Sequence, residues 1–275
     1  MAARFPSVRR AWDRDAVILY HLGLGAGTPP TDACELRYVY EAVLEVLPTF
    51  AVVPASDSAV QASAGPGLDY DPDALLQGEQ EIVLYRTVPA EGVAVTTARV
   101  EAVYDKGSAA VVVVRADSVL GDGSPLSINR FTLFVRGEGG FGGDRGPKVE
   151  ALDIGGPPDA VFEMPTLPQQ AAIYRLMGDR TPLHIDPAAA RRAGVDRPTL
   201  PGLCTWGMLC KGVVDRLFDG DVGVVGSFGA RFVGSVYPGE TLQVRAWRQG
   251  NRVVLDAIVA ERGTPALSHV VLTLR

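Results

Sequence analysis

Cysteine is scarce in this 275-residue chain. There are three, Cys34, Cys204 and Cys210, with no C-x-x-C spacing, which argues against a disulfide scaffold and a zinc knuckle. Histidine is equally scarce, at three, so acid–base chemistry near neutral pH has few possible carriers. Positive charge is also short: 26 basic against 32 acidic residues leave a net charge of -6, so no global positive field gathers a phosphate backbone and nucleic acid is not an expected partner. No stretch reaches the roughly 18–20 uninterrupted apolar residues that cross a bilayer, and no apolar run follows the basic start Met1 to Arg10. A cytoplasmic protein without a membrane partner is expected. What is present is a composition fit for a large core, 47% hydrophobic and 21% charged.

The chain resembles itself. Leu19-Tyr20-His21-Leu22, Thr28-Pro29 and Leu47-Pro48 return as Ile173-Tyr174-Arg175-Leu176, Thr181-Pro182 and Leu200-Pro201. The spacings are 154 (Tyr20 to Tyr174), 153 (Thr28 to Thr181) and 153 (Leu47 to Leu200) residues, a nearly constant register. After each copy comes a series of strand-like runs with short turns: about 81–88, 93–104, 109–118 and 127–135, then 224–233, 241–247, 252–260 and 266–274. Asp105-Lys106-Gly107 reads as a hairpin turn between the second and third runs. A helix followed by antiparallel strands is an α+β unit, here in duplicate. The glycine- and proline-rich stretch 138–160 separates 1–137 from 161–275. It reads as a covalent tie, or as a segment in which Arg145 or Lys148 meets an anionic ligand tail.

Neither Gly23-x-Gly25-x-Gly27 nor the Gly139 to Gly143 cluster has the spacing or the strand–turn–helix setting of a nucleotide fingerprint, and both read as turns. Among the histidines, His21 in an apolar stretch and His269 in a terminal strand read as packed or surface groups. His184 lies five residues after Asp179 across a segment bent by Pro182, so carboxylate and imidazole can converge on one water molecule; a surface ion pair or a helix cap are the alternatives. Pro201-Gly202 stands where a helix begins. Its exposed backbone N–H groups could receive a substrate oxygen, or the glycine could serve only tight helix packing. Cys204 and Cys210 fall six residues apart on that helix and read as core filler.

The run from Tyr174 to Pro187 (YRLMGDRTPLHIDP), with Gly202-Leu203-Cys204-Thr205-Trp206-Gly207, Ala230-Arg231-Phe232 and Tyr237-Pro238-Gly239-Glu240-Thr241-Leu242, resembles the MaoC-like family, in particular the (R)-specific enoyl-CoA hydratases, or hydratase 2, of double-hotdog type. The resemblance implies two antiparallel sheets, each wrapped around a long central helix, with a degenerate N-terminal unit for the acyl chain and a catalytic C-terminal unit. It implies reversible hydration of a trans-2-enoyl thioester, carried on CoA or on an acyl-carrier phosphopantetheine, with no metal or redox cofactor, and a homodimer. Asp179 and His184 take the catalytic positions and Gly202 the oxyanion-hole position. Where the family has an asparagine this chain has Thr181, Pro201 replaces a histidine, and Met177 replaces a small polar residue, so these three are expected to shape the substrate site. No carboxylate stands in the Gly23 to Gly27 turn, so one active site per chain is implied. The departures leave a second reading, a thioester-binding or partner subunit that kept the fold and lost the activity.

Overall fold

The computed structural model describes residues 5–71, 74–148 and 150–275, so the first four residues of the basic start lie outside it. Ten strands make one antiparallel sheet. They are β1 (Val8–Trp12), β2 (Leu75–Leu84), β3 (Gly92–Asp105), β4 (Ala109–Leu120), β5 (Pro125–Arg136), β6 (Ala160–Pro165), β7 (Val225–Phe232), β8 (Thr241–Gln249), β9 (Arg252–Val259) and β10 (Thr264–Leu274). Their order across the sheet is β1-β3-β4-β5-β2-β7-β10-β9-β8-β6. The first half thus supplies one contiguous side and the second half the other.

The expectation of two separate sheets is corrected at the centre. There β2 and β7 pair antiparallel from Glu79 with Arg231 to Val83 with Ser227, so each half supplies the other with a strand partner. The physical reason is that an open central edge would leave a row of backbone N–H and C=O groups without partners. The strand-like run placed at 81–88 also shifts, since β2 occupies Leu75–Leu84.

Alternation decides which face is buried. Along β4, Ala110, Val112, Val114 and Ala116 enter the core while Val113, Arg115 and Asp117 are half-exposed on the other face. Against the inner face lies α3 (Val53–Ser63), entered through a short 3-10 turn at Pro48–Val52; Thr96 of β3 donates to the Pro54 carbonyl at 3.1 Å. The corresponding helix of the second half is α6 (Gly202–Phe218), in which every residue from Cys204 to Val214 is buried. A helix apolar on nearly every side is stable only when covered on nearly every side, and burial of Leu209 or Val213 contributes roughly 1.5–3 kcal/mol each. The remaining helices are α1 (Arg14–Gly23), α2 (Ala33–Val39), α4 (Gln170–Tyr174) and α5 (Pro187–Arg192).

The glycine-rich segment between the halves is fastened along its length rather than hanging free. Gly107, Gly140 and Gly142 donate their N–H groups to the Asp105 carboxylate at 2.7–2.8 Å. These backbone donors hold its pKa down to about 2. Farther on, the Glu150 carbonyl lies 3.2 Å from His269 Nε2, the Asp153 carbonyl accepts from Gln249 at 2.7 Å, and the Gly156 carbonyl accepts from Trp247 at 3.2 Å. The segment therefore runs across the sheet from β3 to β8.

Candidate active site

α4 continues into a 3-10 turn at Arg175–Met177 that ends at Gly178, whose φ of +125° reverses the chain at low cost only for glycine. The helical run thus stops four residues before Pro182, at the glycine rather than at the proline. Asp179 follows immediately. Its Oδ1 accepts from the Thr181 N–H at 3.2 Å, which fixes the carboxylate and leaves Oδ2 facing His184 Nε2 at 4.0 Å. That separation exceeds a direct hydrogen bond, yet lets one water reach both groups at ~2.8 Å each.

His184 ends a second 3-10 turn, Pro182–His184. Its Nδ1 lies 3.0 Å from the Thr199 carbonyl and 3.2 Å from the Thr199 hydroxyl. A carbonyl can only accept, so Nδ1 carries the proton and Nε2 presents a lone pair toward Asp179. The imidazole is 12% exposed, and burial lowers its pKa below the ordinary value, an effect opposed by the Asp179 charge and by the Thr199 hydrogen bond. The ring is therefore neutral at pH 7 and able to take a proton.

Thr199 leads through Leu200, whose N–H donates to the Val236 carbonyl at 2.7 Å, into Pro201 and α6. Pro201 is the N-cap residue, with φ −56° and ψ 136°, and no side chain caps the helix amides behind it. Gly202 opens the helix. A Cβ there would lie 3.0 Å from the Phe232 ring at the end of β7, so the glycine does serve close packing. Its N–H nevertheless belongs to the uncapped first turn, where unpaired donors and the helix dipole favour a developing negative charge. The Asp179 carboxylate acts on this same turn: the Cys204 thiol, buried one turn into α6, is pushed up to about 12 by burial first and by the Asp179 charge among the lesser causes.

Asp179 and His184 are thus brought together, and Thr181 joins them through its amide. Thr181 is exposed, Pro201 is buried at the helix entrance, and Met177 is 9% exposed with its carbonyl turned to the Arg10 guanidinium at 3.1 Å. Thr199 and Arg10 carry no motif that a reading of the sequence could have singled out; each acts through a contact with residues distant in the chain. A groove of about 1390 Å³ lies on the opposite face of the sheet, under the segment 145–148, and contains neither Asp179 nor His184. Cys204 and Cys210 are both buried, as a core-filling role requires. No group of three or more His, Cys, Asp or Glu suited to a metal ion occurs among the described residues.

Residues 11–137 match the MFE-2 hydratase 2 N-terminal domain and residues 150–270 the MaoC like domain. The chain is 41% identical over 264 residues to an enoyl-CoA hydratase, ChsH3, of Mycobacterium tuberculosis, covering 95% of this chain and 92% of that one. Among solved structures, the peroxisomal multifunctional enzyme type 2 of Drosophila melanogaster superposes with a TM-score of 0.85 at 34% identity; the match covers 98% of this chain and 48% of that one, so this chain spans about half its length. A Mycobacterium tuberculosis protein with a double hotdog fold superposes with a TM-score of 0.60 at 13% identity, covering 100% of this chain and 96% of that one, a likeness of fold alone. The motif residues, the paired halves and these likenesses agree, and the chain belongs to the MaoC-like hydratase 2 family.

Proposed function

We propose that the protein is a hydro-lyase that interconverts a trans-2-enoyl thioester and the (3R)-3-hydroxyacyl thioester. The observation that carries this reading is the Asp179–His184 pair, 4.0 Å apart, with the imidazole held so that its free nitrogen faces the carboxylate. Asp179 and His184 Nε2 hold a water molecule; the water oxygen adds to C3 as its proton passes to the pair, and a proton returns from the pair to C2. The negative charge that develops on the thioester oxygen is met by the Gly202 N–H at the head of α6. The reverse sequence is dehydration, through the same groups. The reading needs no metal or redox cofactor, because conjugation to the thioester already activates C3.

The fold supports a finer division: a first unit at 1–137 that receives the acyl chain, a tie at 138–160, and a catalytic unit at 161–275, each unit enclosing one of the helices α3 and α6. The matched spans 11–137 and 150–270 support a division into two units, the second span beginning within the tie. CoA or a carrier-bound phosphopantetheine serves as the handle, Thr181, Met177 and Pro201 shape the site around it, and the working unit is a cytoplasmic homodimer. Among the described residues no helix is long and apolar enough to cross a membrane.

The test is hydration of crotonyl-CoA and longer trans-2-enoyl-CoA esters, followed as loss of ultraviolet absorbance, with the product's configuration determined. Turnover to the (3R) product supports the reading. Tight thioester binding without turnover replaces it with that of a binding subunit.

A further inference from the structure

We propose that Arg10, a residue of the first half, is a positioning residue for the reacting loop of the second half. It stands in β1, at the outer end of the sheet, where it pairs with Ala94 of β3. Its Nη1 is 3.1 Å from Asp57 Oδ2 on α3, and its Nη2 donates to the Met177 carbonyl at 3.1 Å. One guanidinium thus spans the two halves.

The carbonyl it takes is one that the loop cannot satisfy alone. Met177 ends a 3-10 turn, and the carbonyls of a last turn have no partner farther along the helix. The Thr181 N–H, close enough in sequence to close such a turn, is committed instead to Asp179 Oδ1. Arg10 fills that vacancy from outside. The next residue, Gly178, sits at φ +125°, and a Cβ added there would lie 3.7 Å from both terminal nitrogens of Arg10. The Met177–Gly178 peptide is therefore held on one side by the guanidinium, and Asp179 follows it directly.

Asp57 is 56% exposed, so the Asp57–Arg10 pair contributes little to stability on its own. Its effect is orientation: a planar guanidinium with one edge fixed by a carboxylate directs its other edge at a single carbonyl. Since displacement of a reacting group by ~1 Å lowers a rate by up to about a hundredfold, a fixed Met177 carbonyl is worth more to turnover than to folding. Neither Arg10 nor Asp57 touches the reacting atoms. The first half, which has no carboxylate in its own Gly23 to Gly27 turn, would thereby take part in the chemistry by aiming the other half's loop.

This inference rests on the hydratase reading for its kinetic consequence, and its test includes a measurement that does not. Full-length wild type, Arg10→Ala, Arg10→Lys and Asp57→Asn are compared with crotonyl-CoA and by amide hydrogen exchange. For Arg10→Ala a fall in kcat of about tenfold or more is expected, with KM within about twofold and kcat partly restored by millimolar methylguanidinium. Arg10→Lys should fall between wild type and Arg10→Ala, because one ammonium cannot span Asp57 and the Met177 carbonyl as a fork does. Exchange should quicken in peptides from 175–184 and stay unchanged in α6. Unchanged kcat in Arg10→Ala, a loss that tracks melting and resists guanidinium, or unaltered exchange at 175–184 overturns the proposal. If the wild type turns over no enoyl thioester while Arg10→Ala still frees the 175–184 amides, the anchoring stands and the hydratase reading fails.

Discussion

His21 and His184 are bonded to backbone beside the Leu-Pro step that leads into each half's helix, yet the two imidazoles are put to different uses. His21 is fully buried; its Nδ1 lies 2.8 Å from the Tyr38 carbonyl and its Nε2 accepts from the Leu47 N–H at 3.1 Å. Both nitrogens are spent on structure, and burial drives the pKa down to about 4. His184 spends only Nδ1, on Thr199, and keeps Nε2 for the space shared with Asp179. What separates a packing histidine from a reacting one is therefore the second nitrogen.

The largest expected effect tests that second nitrogen directly. His184→Ala and Asp179→Asn should each lower kcat by roughly 10²- to 10⁴-fold while leaving the melting temperature nearly unchanged, as steady-state hydration and thermal unfolding will show. Retained activity in either variant removes that residue from the mechanism. Because burial holds His184 below its ordinary pKa, activity should persist through neutral pH and decline only on acidification below that ordinary value.

For His21 the expected loss is in stability. Above pH 6.5 the imidazole is neutral in folded and unfolded chains alike. Between 6.5 and about 4 only the unfolded chain binds the proton, so folding stability drains away as pH falls through that window, by roughly 3 kcal/mol in all. Urea unfolding at several pH values measures it, and His21→Gln should flatten the dependence; an undiminished slope in that variant would assign the proton to another group.

Gly202→Ala tests whether the helix entrance serves packing, chemistry or both. A methyl group 3.0 Å from the Phe232 ring should destabilise the fold by about 1–3 kcal/mol. If the amide also meets the thioester oxygen, Gly202→Ala should lower kcat in material that is still folded. A second substitution, Phe232→Leu, should then recover the stability without the rate, whereas joint recovery would reduce Gly202 to a packing residue.

The smallest effect belongs to the tie between the halves. Asp105→Asn should quicken amide exchange at Gly140 and Gly142, which donate to the carboxylate, and leave turnover untouched. A change in kcat would mean that the tie reaches the site, contrary to its course on the sheet's other face.

Much of this architecture could be read in the residues. Alternation placed β3, β4, β5, β7, β8, β9 and β10 to within about two residues of their observed limits, since a strand with one face buried must alternate. The edge strands β1 and β6 escaped. Each is short and pairs with one neighbour only, so its pattern is weakly constrained. The reach of Asp179 to His184 was legible because five residues and a proline confine both groups to one bend. Thr199 and Arg10 were not, because their partners lie 15 and 167 residues away.

By itself, then, the sequence determined the doubled α+β pattern, the scarcity of titratable groups near neutrality and the pairing of a carboxylate with an imidazole, all properties set by local spacing. Only the tertiary structure decided that the halves share one sheet, that His21 is spent while His184 is not, and that an arginine from one half grips the loop of the other. Such outcomes depend on which backbone groups lack a partner once the chain has folded, and that is known only when distant segments have met.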